Sequence, residues 1–220
     1  MVADESHRLI ILSQSEQRLN NGCSINARYI MDALGAIKIM IIGLWVFLPA
    51  MLPNSAAVVF GGGTKIDFGK SWRGKRIFGD GKSWRGFFGG ALSGIALGLI
   101  LMGISHPFDP VNHWGFGSFS QGVVLITTLA FGAVLGDLAG AFIKRRLGLE
   151  RGVKAPVLDQ YDFVAGAFLL TALFNFNWVF ETYFAGWNIL AFVFLLLIMF
   201  GLHRAANIIG YKMGLKKEPW

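Results

Sequence analysis

Residues 87–104 read FFGGALSGIALGLILMGI, eighteen consecutive residues without a charge. A helix needs roughly 20 mostly apolar residues to cross the hydrocarbon core of a bilayer, so this stretch predicts a membrane span. Four other stretches meet the same requirement, and the five predicted spans are 34–52, 87–104, 123–142, 163–180 and 187–202. We therefore predict an all-α integral membrane protein with five transmembrane helices and two long polar loops, 53–86 and 143–162.

The composition of the 220-residue chain agrees with a membrane protein. Apolar residues make up 54% and charged residues only 15%, whereas a soluble domain has about 25% charged residues. The single cysteine, Cys23, excludes an intramolecular disulfide, and no Cys/His group has the spacing of zinc ligands. A net charge of +7 would suit nucleic acid, but clustered Lys and Arg in a membrane chain first indicate cytoplasmic loops. No nucleic-acid partner is expected.

Basic residues are concentrated on one side of the predicted spans. Sixteen of the twenty Lys and Arg residues fall in the two long loops and in the tail after the fifth span, whereas the connections 106–121 and 181–186 contain none. The positive-inside rule then puts the amino terminus outside and the carboxyl terminus inside. The alternative is that the loops only hold the orientation and contact anionic lipid. We predict a multi-pass protein of the cell membrane whose active site faces the cytoplasm.

Three regions follow from this pattern. We predict a polar amino-terminal arm, 1–30, that is dispensable, a five-helix membrane catalytic domain, 31–210, and a basic cytoplasmic tail, 211–220. The arm lacks an apolar segment followed by a small-residue cleavage site, so it does not have the pattern of a secretory signal.

Glycines recur every four residues in the second and third spans. They are Gly86, Gly90, Gly94 and Gly98, and then Gly132, Gly136 and Gly140. Small residues at this spacing leave a smooth helix face that lets another backbone approach closely, so we predict helix packing there. The alternative is a narrow groove that admits a lipid chain.

The first long loop has the composition of a phosphate-binding segment. The three glycines at 61–63 carry no Cβ that would keep backbone N–H groups from converging on an anion, and Thr64 and Lys65 add a hydroxyl and a positive charge. A second cluster, 79–85, leads into the second span, so its amides are expected at a helix N-terminus. The alternative is a flexible, turn-rich linker.

The string GKSWRG occurs at 69–74 and again at 81–86. A P-loop has the spacing G-x-x-x-x-G-K-[ST], and the positions that would hold its first glycine are Thr64 and Arg76. Neither copy is therefore a P-loop. The duplication is consistent with a repeated loop and equally with chance or drift.

Four aspartates predicted on the cytoplasmic side form a second set of candidates. Asp137 lies near the end of the third span, and Lys144 is two helical turns further along the same face. Asp159 and Asp162 are three residues apart, on one face of the helix that enters the fourth span. Like charges repel there, which favours a cation between them or a phosphate-bound metal nearby; a helix N-cap is the alternative for Asp159. Together with Asp80, the set predicts binding of a magnesium nucleotide.

Four stretches of the chain carry a family resemblance. They read NSAAVVFGGGTKIDFG (54–69), IFGDGKSWRG (77–86), GDLAGAFIKRRLGLERG (136–152) and PVLDQYDFVAGA (156–167). In this order they resemble the archaeal CDP-archaeol synthases, which are related to bacterial phosphatidate cytidylyltransferases. The bacterial signature has an IKR-like helix end, matched here by Ile143, Lys144 and Arg145, and a D-R-x-D element, matched from Asp159 except for Gln160 in place of Arg. The bacterial Pro-Gly-His-Gly-Gly run is absent, and one or two metal ions are both consistent with the sequence.

The resemblance implies transfer of CMP from CTP to an isoprenoid diether glycerol phosphate in the lipid membrane, with Mg²⁺ as cofactor and release of pyrophosphate. It implies a catalytic set of Asp137, Lys144, Asp159 and Asp162, in which the three aspartates are the metal ligands. The predicted CTP contacts are Asn54, Gly62, Gly63, Thr64, Asp80, Lys82, Arg85 and Arg145. Asn54 is expected at the base or at the lipid head group. Arg146 lies outside the matched positions, so its substitution is expected to cost little.

Two other functions stay open on the residues alone. A transporter of small anions or metabolites would have polar sites near the bilayer midplane, and Lys38 is the residue inside a span that would fit such a site. A lipid kinase would use the same phosphates and metal but transfer the terminal phosphoryl group. Only the resemblance favours cytidylyl transfer over the kinase, and the sequence leaves the oligomeric state open.

Overall fold

The structure is a computed structural model that describes residues 33–149 and 155–212. The chain divides into two units, Met1–Ile39 and Met40–Trp220, and all contacts given below lie within the second unit. The predicted arm 1–30, and all but the first two residues of the predicted tail 211–220, lie outside the described residues. The predicted division into three regions therefore stays a prediction.

Five helices and one short hairpin make up the described chain. In order they are α1 (Ala33–Val59), β1 (Ser71–Trp72), β2 (Lys75–Arg76), α2 (Trp84–Ser105), α3 (Phe119–Arg146), α4 (Pro156–Tyr183) and α5 (Ile189–Lys212). Single 3₁₀ turns at His113–Gly115 and Gly186–Asn188 precede α3 and α5. The prediction of a helical fold is confirmed, and the antiparallel β1–β2 hairpin is a small addition within the first long loop.

Four helices are long and apolar enough to cross a membrane, and they correspond to the first four predicted spans. A shorter apolar helix at Gly186–Leu202 corresponds to the fifth. Large apolar side chains such as Leu92, Leu169 and Leu197 are exposed on these helices, as expected where lipid rather than water surrounds the protein. The chain is an integral membrane protein.

Helix α1 continues to Val59, past the predicted end of the first span at residue 52. Pro49 and Pro53 lie within it and are fully buried; prolines are tolerated in membrane helices where neighbouring helices re-satisfy the freed backbone groups. A Cβ on Gly94 would lie 2.5 Å from the carbonyl oxygen of Pro49, and a Cβ on Gly90 would lie 2.6 Å from that of Pro53. The glycine face of α2 therefore packs directly on the backbone of α1.

The second glycine face packs α3 against α4. A Cβ on Gly136 would lie 3.0 Å from the Cα of Gly166, and a Cβ on Gly140 would lie 2.8 Å from the Cβ of Asp162. Larger side chains would not fit at these separations without displacing α4. The predicted packing role of both glycine faces is confirmed, and it brings Asp137, which follows Gly136 in the chain, close to the beginning of α4.

Helix α4 bends sharply at Asn175, whose backbone has φ −142° and ψ 56°. A straight helix would separate residues 168 and 183 by about 22 Å, but the rings of Phe168 and Tyr183 lie 4.9 Å apart. The last turns of α4 therefore fold back toward its first part. The predicted span 163–180 lies within the helix Leu158–Tyr183, which is long and apolar enough to cross a membrane, and the bend falls near its end.

Two hydrogen bonds hold the folded-back part of α4 in place. The indole N–H of Trp178 donates to the carbonyl oxygen of Gly115 at 2.8 Å, and the hydroxyl of Tyr183 donates to the carbonyl oxygen of Gly43 at 2.8 Å. The indole therefore ties α4 to the connection before α3, and the hydroxyl ties it to α1.

The two GKSWRG copies adopt different structures. The first copy forms β1 and its turn, whereas the second forms the N-cap and first turn of α2. There the side chain of Ser83 accepts a hydrogen bond from the N–H of Gly86 at 3.1 Å. The duplication is not a structural repeat, and the prediction that 79–85 leads into a helix N-terminus is confirmed.

Candidate active site

A buried carboxylate organises the first long loop. The side chain of Asp67 is fully buried; it accepts hydrogen bonds from the guanidinium of Arg76 at 2.7 Å and from the N–H groups of Gly69 at 3.0 Å, Phe78 at 3.1 Å and Gly79 at 3.2 Å. Burial by itself raises the pKa of this carboxyl, but these hydrogen bonds outweigh it and lower the pKa of Asp67 to about 2. Asp67 is not among the site residues predicted from the sequence. The sequence pattern that could have indicated it is an Asp two positions before a Gly. This pattern is typical of a turn in which the Asp side chain accepts a backbone hydrogen bond.

Asp80, a predicted CTP contact, is paired with cations of the same loop. Its half-exposed carboxylate binds Lys65 and accepts a hydrogen bond from Arg76 at 2.8 Å. The hydrogen bonds from Lys65 and then from Arg76 lower the pKa of Asp80. Because Arg76 also binds Asp67, this arginine connects the buried carboxylate to the exposed one.

Two ion pairs join the loop to α3 and α3 to α4. Lys82 binds Asp137, and Lys144 binds Asp159. Asp137 and Lys144, predicted on one face of α3, form no ion pair with each other among the described side chains, because each has an opposite charge closer at hand on a neighbouring segment. Asp159 also accepts a hydrogen bond from the N–H of Ala155 at 3.1 Å. One of its oxygens therefore binds the backbone at the start of α4, while the other binds the lysine.

Asp162 lies beside these ion pairs. It packs against Gly140 of α3, where a Cβ would lie 2.9 Å from its Cγ, and its carboxylate interacts electrostatically with Asp137, Lys144 and Lys82. In residues 33–149 and 155–212, no three Asp, Glu, His or Cys side chains are grouped closely enough to hold a metal ion. The fold thus brings the predicted ligands to adjoining ends of α3 and α4 without assembling them into one three-residue site.

An apolar-walled cavity at this end of the helices is lined by α1, the first long loop, α2 and α3. It has a volume of about 150 Å³ and walls such as Val58, Phe87 and Val134, and its polar lining includes Asn54, Lys82 and Asp137. The Oδ1 atom of Asn54 is buried and has no hydrogen-bond partner within the described chain. A buried acceptor without a donor costs free energy, so this atom favours a bound molecule that supplies one.

The basic cavity, with a volume of about 420 Å³, is lined by the loop and by the end of α3. Lys75, Arg76 and Arg145 bring three positive charges to it, against the one negative charge of Asp80. Gly79 also lines it with φ +96°, and a Cβ there would lie 3.2 Å from the Nε atom of Arg145. Glycine therefore lets the loop backbone approach the guanidinium.

One turn separates the two cavities. Gly79 and Asp80 line the basic cavity, whereas the next two residues, Gly81 and Lys82, line the apolar-walled cavity. A molecule that reached across residues 79–82 would therefore contact both.

Four other predicted CTP contacts line neither of these two cavities. Gly62 and Gly63 adopt φ of +97° and +74°, and a Cβ on Gly63 would lie 3.1 Å from the Cδ of Arg85. The carbonyl oxygen of Thr64 accepts a hydrogen bond from the N–H of Trp84 at 3.1 Å. This segment packs on the first turn of α2, and its contact with CTP stays a prediction.

The same chain can be compared with known proteins. It matches the CarS-like family, described as CDP-archaeol synthase, over residues 36–220. It is 45% identical over 180 residues to the CDP-archaeol synthase of Methanoculleus marisnigri, covering 79% of this chain and 99% of that one. It is 42% identical over 200 residues to the CDP-archaeol synthase of Halobacterium salinarum, covering 86% of this chain and all of that one. The chain belongs to the CDP-archaeol synthase family.

A solved structure supports the assignment. It is described as an intramembrane enzyme for archaeal membrane lipids biosynthesis, and it has a TM-score of 0.58 and 32% identity, covering 77% of this chain and 94% of that chain. The family resemblance noted in the sequence is confirmed. As a family member, the protein is an enzyme, a CTP-dependent cytidylyltransferase.

The residues predicted for this CDP-archaeol synthase family member fall into four groups. Asn54, Lys82 and Asp137 line the apolar-walled cavity, and Asp80 and Arg145 line the basic cavity. Lys144, Asp159 and Asp162 lie at the adjoining ends of α3 and α4. Arg85 lies in the first turn of α2, Gly63 and Thr64 contact that turn, and Gly62 precedes them in the chain. The catalytic, CTP and metal roles of all these residues stay predictions.

Proposed function

We propose that this enzyme transfers CMP from CTP to the phosphate of an isoprenoid diether glycerol phosphate and releases pyrophosphate. The observation that carries the proposal is the pair of cavities on the two sides of residues 79–82. One is small and apolar-walled with a buried unpaired acceptor, and the other is larger and basic. The first environment suits the nucleoside of CTP, and the second suits its triphosphate.

The apolar-walled cavity is the proposed site of the nucleoside. Binding pockets for small molecules combine apolar walls with a few polar groups that fix orientation. The unpaired Oδ1 of Asn54 needs a donor, which the amino group of cytosine or a ribose hydroxyl supplies. An ionised phosphate has only acceptors and would leave this atom unsatisfied.

The basic cavity is the proposed site of the polyphosphate. Arginine and lysine side chains form charge-assisted hydrogen bonds to phosphate oxygens, and these are stronger than bonds between neutral groups. Three such side chains line this cavity. With the nucleoside across the turn, the α-phosphate would lie near Lys82, between base and leaving pyrophosphate.

In the proposed step, an oxygen of the lipid phosphate attacks the α-phosphorus of CTP. The bond between that phosphorus and the α,β-bridging oxygen breaks, and pyrophosphate leaves with the electron pair. Both reactants are anions, so catalysis consists mainly of positioning and charge neutralisation. Lys82 and Lys144 are the cations proposed for this task, and in the free enzyme each is held in an ion pair with an aspartate.

Mg²⁺ is the proposed cofactor, and the donor set here fits it. Mg²⁺ prefers carboxylate oxygens and shares its ligand shell with substrate phosphates. Asp137 and Asp162 would hold it, because their carboxylates repel each other and Asp162 has no ion-pair partner among the described residues. Asp159 would join them only when Lys144 turns to a phosphate, since both of its oxygens are already engaged. When bound, the ion would neutralise charge on the phosphates.

The proposed orientation puts this end of the helices in the cytoplasm, with the enzyme in the cell membrane. The support is the basic asymmetry of the sequence, since both cavities are lined by the segments that carry most of the Lys and Arg residues. CTP would then enter from the cytoplasm, and the lipid phosphate would arrive from the adjoining leaflet.

The test uses purified protein, Mg²⁺ and an isoprenoid diether glycerol phosphate with CTP labelled at the α or at the γ phosphorus. We expect label to enter the lipid phase from the α position and not from the γ position. Label from γ alone would establish a lipid kinase, and label from neither would overturn the proposed reaction. In the same assay, Asp162→Asn should remove most of the transfer. Asp109→Asn is its matched control and should leave the transfer unchanged, because Asp109 lies in the loop at the opposite ends of α2 and α3. Family membership favours neither the kinase nor the transporter alternative.

A further inference from the structure

We propose that Arg146 is a positioning residue for the nucleotide, which holds the β1–β2 hairpin on the end of α3 so that Lys75 and Arg76 face the basic cavity. The inference rests on the proposed function in one respect, the assignment of the basic cavity to the polyphosphate. Arg146 itself does not line that cavity, and its place outside the matched motif predicted little importance for it.

The guanidinium of Arg146 binds three backbone carbonyls of the hairpin. Its Nη1 donates to the carbonyl oxygen of Trp72 at 2.6 Å, and its Nη2 donates to those of Lys75 at 3.1 Å and Arg76 at 2.6 Å. In return, the ammonium of Lys75 donates to the carbonyl oxygen of Arg146 at 3.4 Å. A single side chain thus contacts both strands of the hairpin.

Aromatic stacking adds a second connection between the hairpin and α3. The rings of Trp72 and Phe142 are stacked with centroids 5.9 Å apart and an interplanar angle of 17°. The guanidinium carbon of Arg146 lies 5.2 Å from the Trp72 ring and 5.3 Å from the Phe142 ring. Cation–π contacts of this kind stabilise a guanidinium over an aromatic face.

The hairpin depends on such contacts because it is too small to be stable alone. Its strands are two residues each, and even longer isolated hairpins are only marginally stable in water. The basic cavity has one wall from this hairpin and the following turn and another wall from Arg145, Gly148 and Leu149. Arg146 therefore connects the two walls through its hydrogen bonds to the hairpin.

The geometry requires arginine rather than any cation. The guanidinium is planar with several donors in a fixed fork, whereas lysine is a point charge on a flexible stem. If Arg146 contributed only positive charge to nucleotide binding, Arg146→Lys would restore it. If Arg146 positions the hairpin, lysine should fail as glutamine does.

The experiment measures KM for CTP and kcat at saturating lipid phosphate. We expect Arg146→Gln and Arg146→Lys each to raise KM for CTP by about tenfold, the effect of losing one or two charged hydrogen bonds, with kcat changed less than about threefold. Arg73→Gln is the matched control. It removes the same charge, but from the turn of the hairpin rather than from α3, and Arg73 contacts only the Trp72 ring, at 5.5 Å, in the described structure; we expect KM within about twofold of wild type.

A second measurement reports the hairpin without using activity. In a cysteine-free background, the reporter is Ile77→Cys, a half-buried position directly after β2. Its labelling rate by a thiol reagent should rise severalfold on adding Arg146→Gln and stay constant on adding Arg73→Gln. Unchanged labelling and unchanged KM would overturn the role of Arg146, as would restoration of KM by lysine.

The variant Arg145→Gln distinguishes a failure of the role of Arg146 from a failure of the proposed function. If hairpin labelling rises but neither Arg145→Gln nor Arg146→Gln alters KM for CTP, the assignment of the basic cavity to the polyphosphate is wrong and the inference falls with it.

Discussion

Replacing Asp67 with Asn is expected to loosen the first long loop without unfolding the helices. Asn has the shape of Asp but lacks the charge that binds Arg76. Its side-chain NH2 group would also face backbone N–H donors, which now bind a carboxylate oxygen. The folded loop lowers the pKa of Asp67 from 3.8 to about 2, and each pKa unit corresponds to about 1.4 kcal/mol. The whole shift corresponds to about 2.5 kcal/mol. Solvent screening at this surface loop lowers the contribution of the ionised carboxylate to roughly 2 kcal/mol, a factor of about 30 in the equilibrium between closed and open loop.

Limited trypsin cleavage in detergent near neutral pH measures this opening, because Arg73 and Lys75 lie in the hairpin that Asp67 helps to hold. We expect Asp67→Asn to be cleaved in the loop about 30-fold faster than wild type when opening is fast relative to cleavage. The thermal unfolding temperature of the helices should change little. Asp109→Asn is the matched control, since Asp109 also accepts backbone hydrogen bonds, from Asn112 and Trp114, but in a different turn. Equal loop cleavage of Asp67→Asn and wild type would refute the assigned role.

The pH dependence of this stabilisation follows from the sign of the shift. The pKa of Asp67 is lower in the folded loop than in the open one, so the carboxylate contributes fully above about pH 4 and its contribution is lost as the pH falls toward 2. Pepsin cleaves in this range. The difference in loop cleavage between wild type and Asp67→Asn should shrink from pH 4 to pH 2, and a constant difference would contradict the assignment.

Three further predictions test the carboxylates, the glycine faces and the orientation. Asp162→Asn should lower CMP transfer on the order of a thousandfold in a folded protein; near-normal turnover at limiting Mg²⁺ would remove this residue from the metal set. Gly94→Leu should lower the melting temperature, whereas Gly103→Leu on the same helix, where a Cβ meets nothing within 4 Å, should be tolerated; equal melting temperatures would contradict the packing argument. In a cysteine-free background, Ser71→Cys should react with an impermeant thiol reagent only after permeabilisation and Val111→Cys in intact cells, and the reverse pattern would overturn the orientation.

The predictions that succeeded depend on residues within one helix. Membrane spans follow from the length of an apolar run, and contact faces follow from the four-residue spacing of glycines such as Gly90 and Gly94. These properties are present in the local sequence, and neighbouring segments alter them little. The sequence motifs also indicated the protein family, but they did not indicate which candidate residues contact one another.

The features that the sequence did not predict arise between segments that are distant in the chain. Lys82 and Asp137 pair across 55 positions, and the choice of partner depends on how the loop folds over α3. In the sequence, Asp67 does not differ from other loop aspartates, because its four hydrogen-bond donors come together only in the folded loop. The bend at Asn175 brings Trp178 and Tyr183 to hydrogen-bond acceptors on other elements. In each case the deciding interaction exists only in the folded protein.

The contact between α3 and α4 bears on how this enzyme responds to its bilayer. Because Gly136 touches the backbone of Asp162, the spacing between Asp137 and Asp162 is set by the thickness of two main chains rather than by side-chain rotamers. A change in the thickness, stiffness or fluidity of the lipid acts first on the apolar side chains that face it. It has little effect on a contact between backbone atoms. We expect changes of membrane composition or growth temperature to alter how readily lipid reaches the reaction site, while the distance between the two carboxylates is preserved.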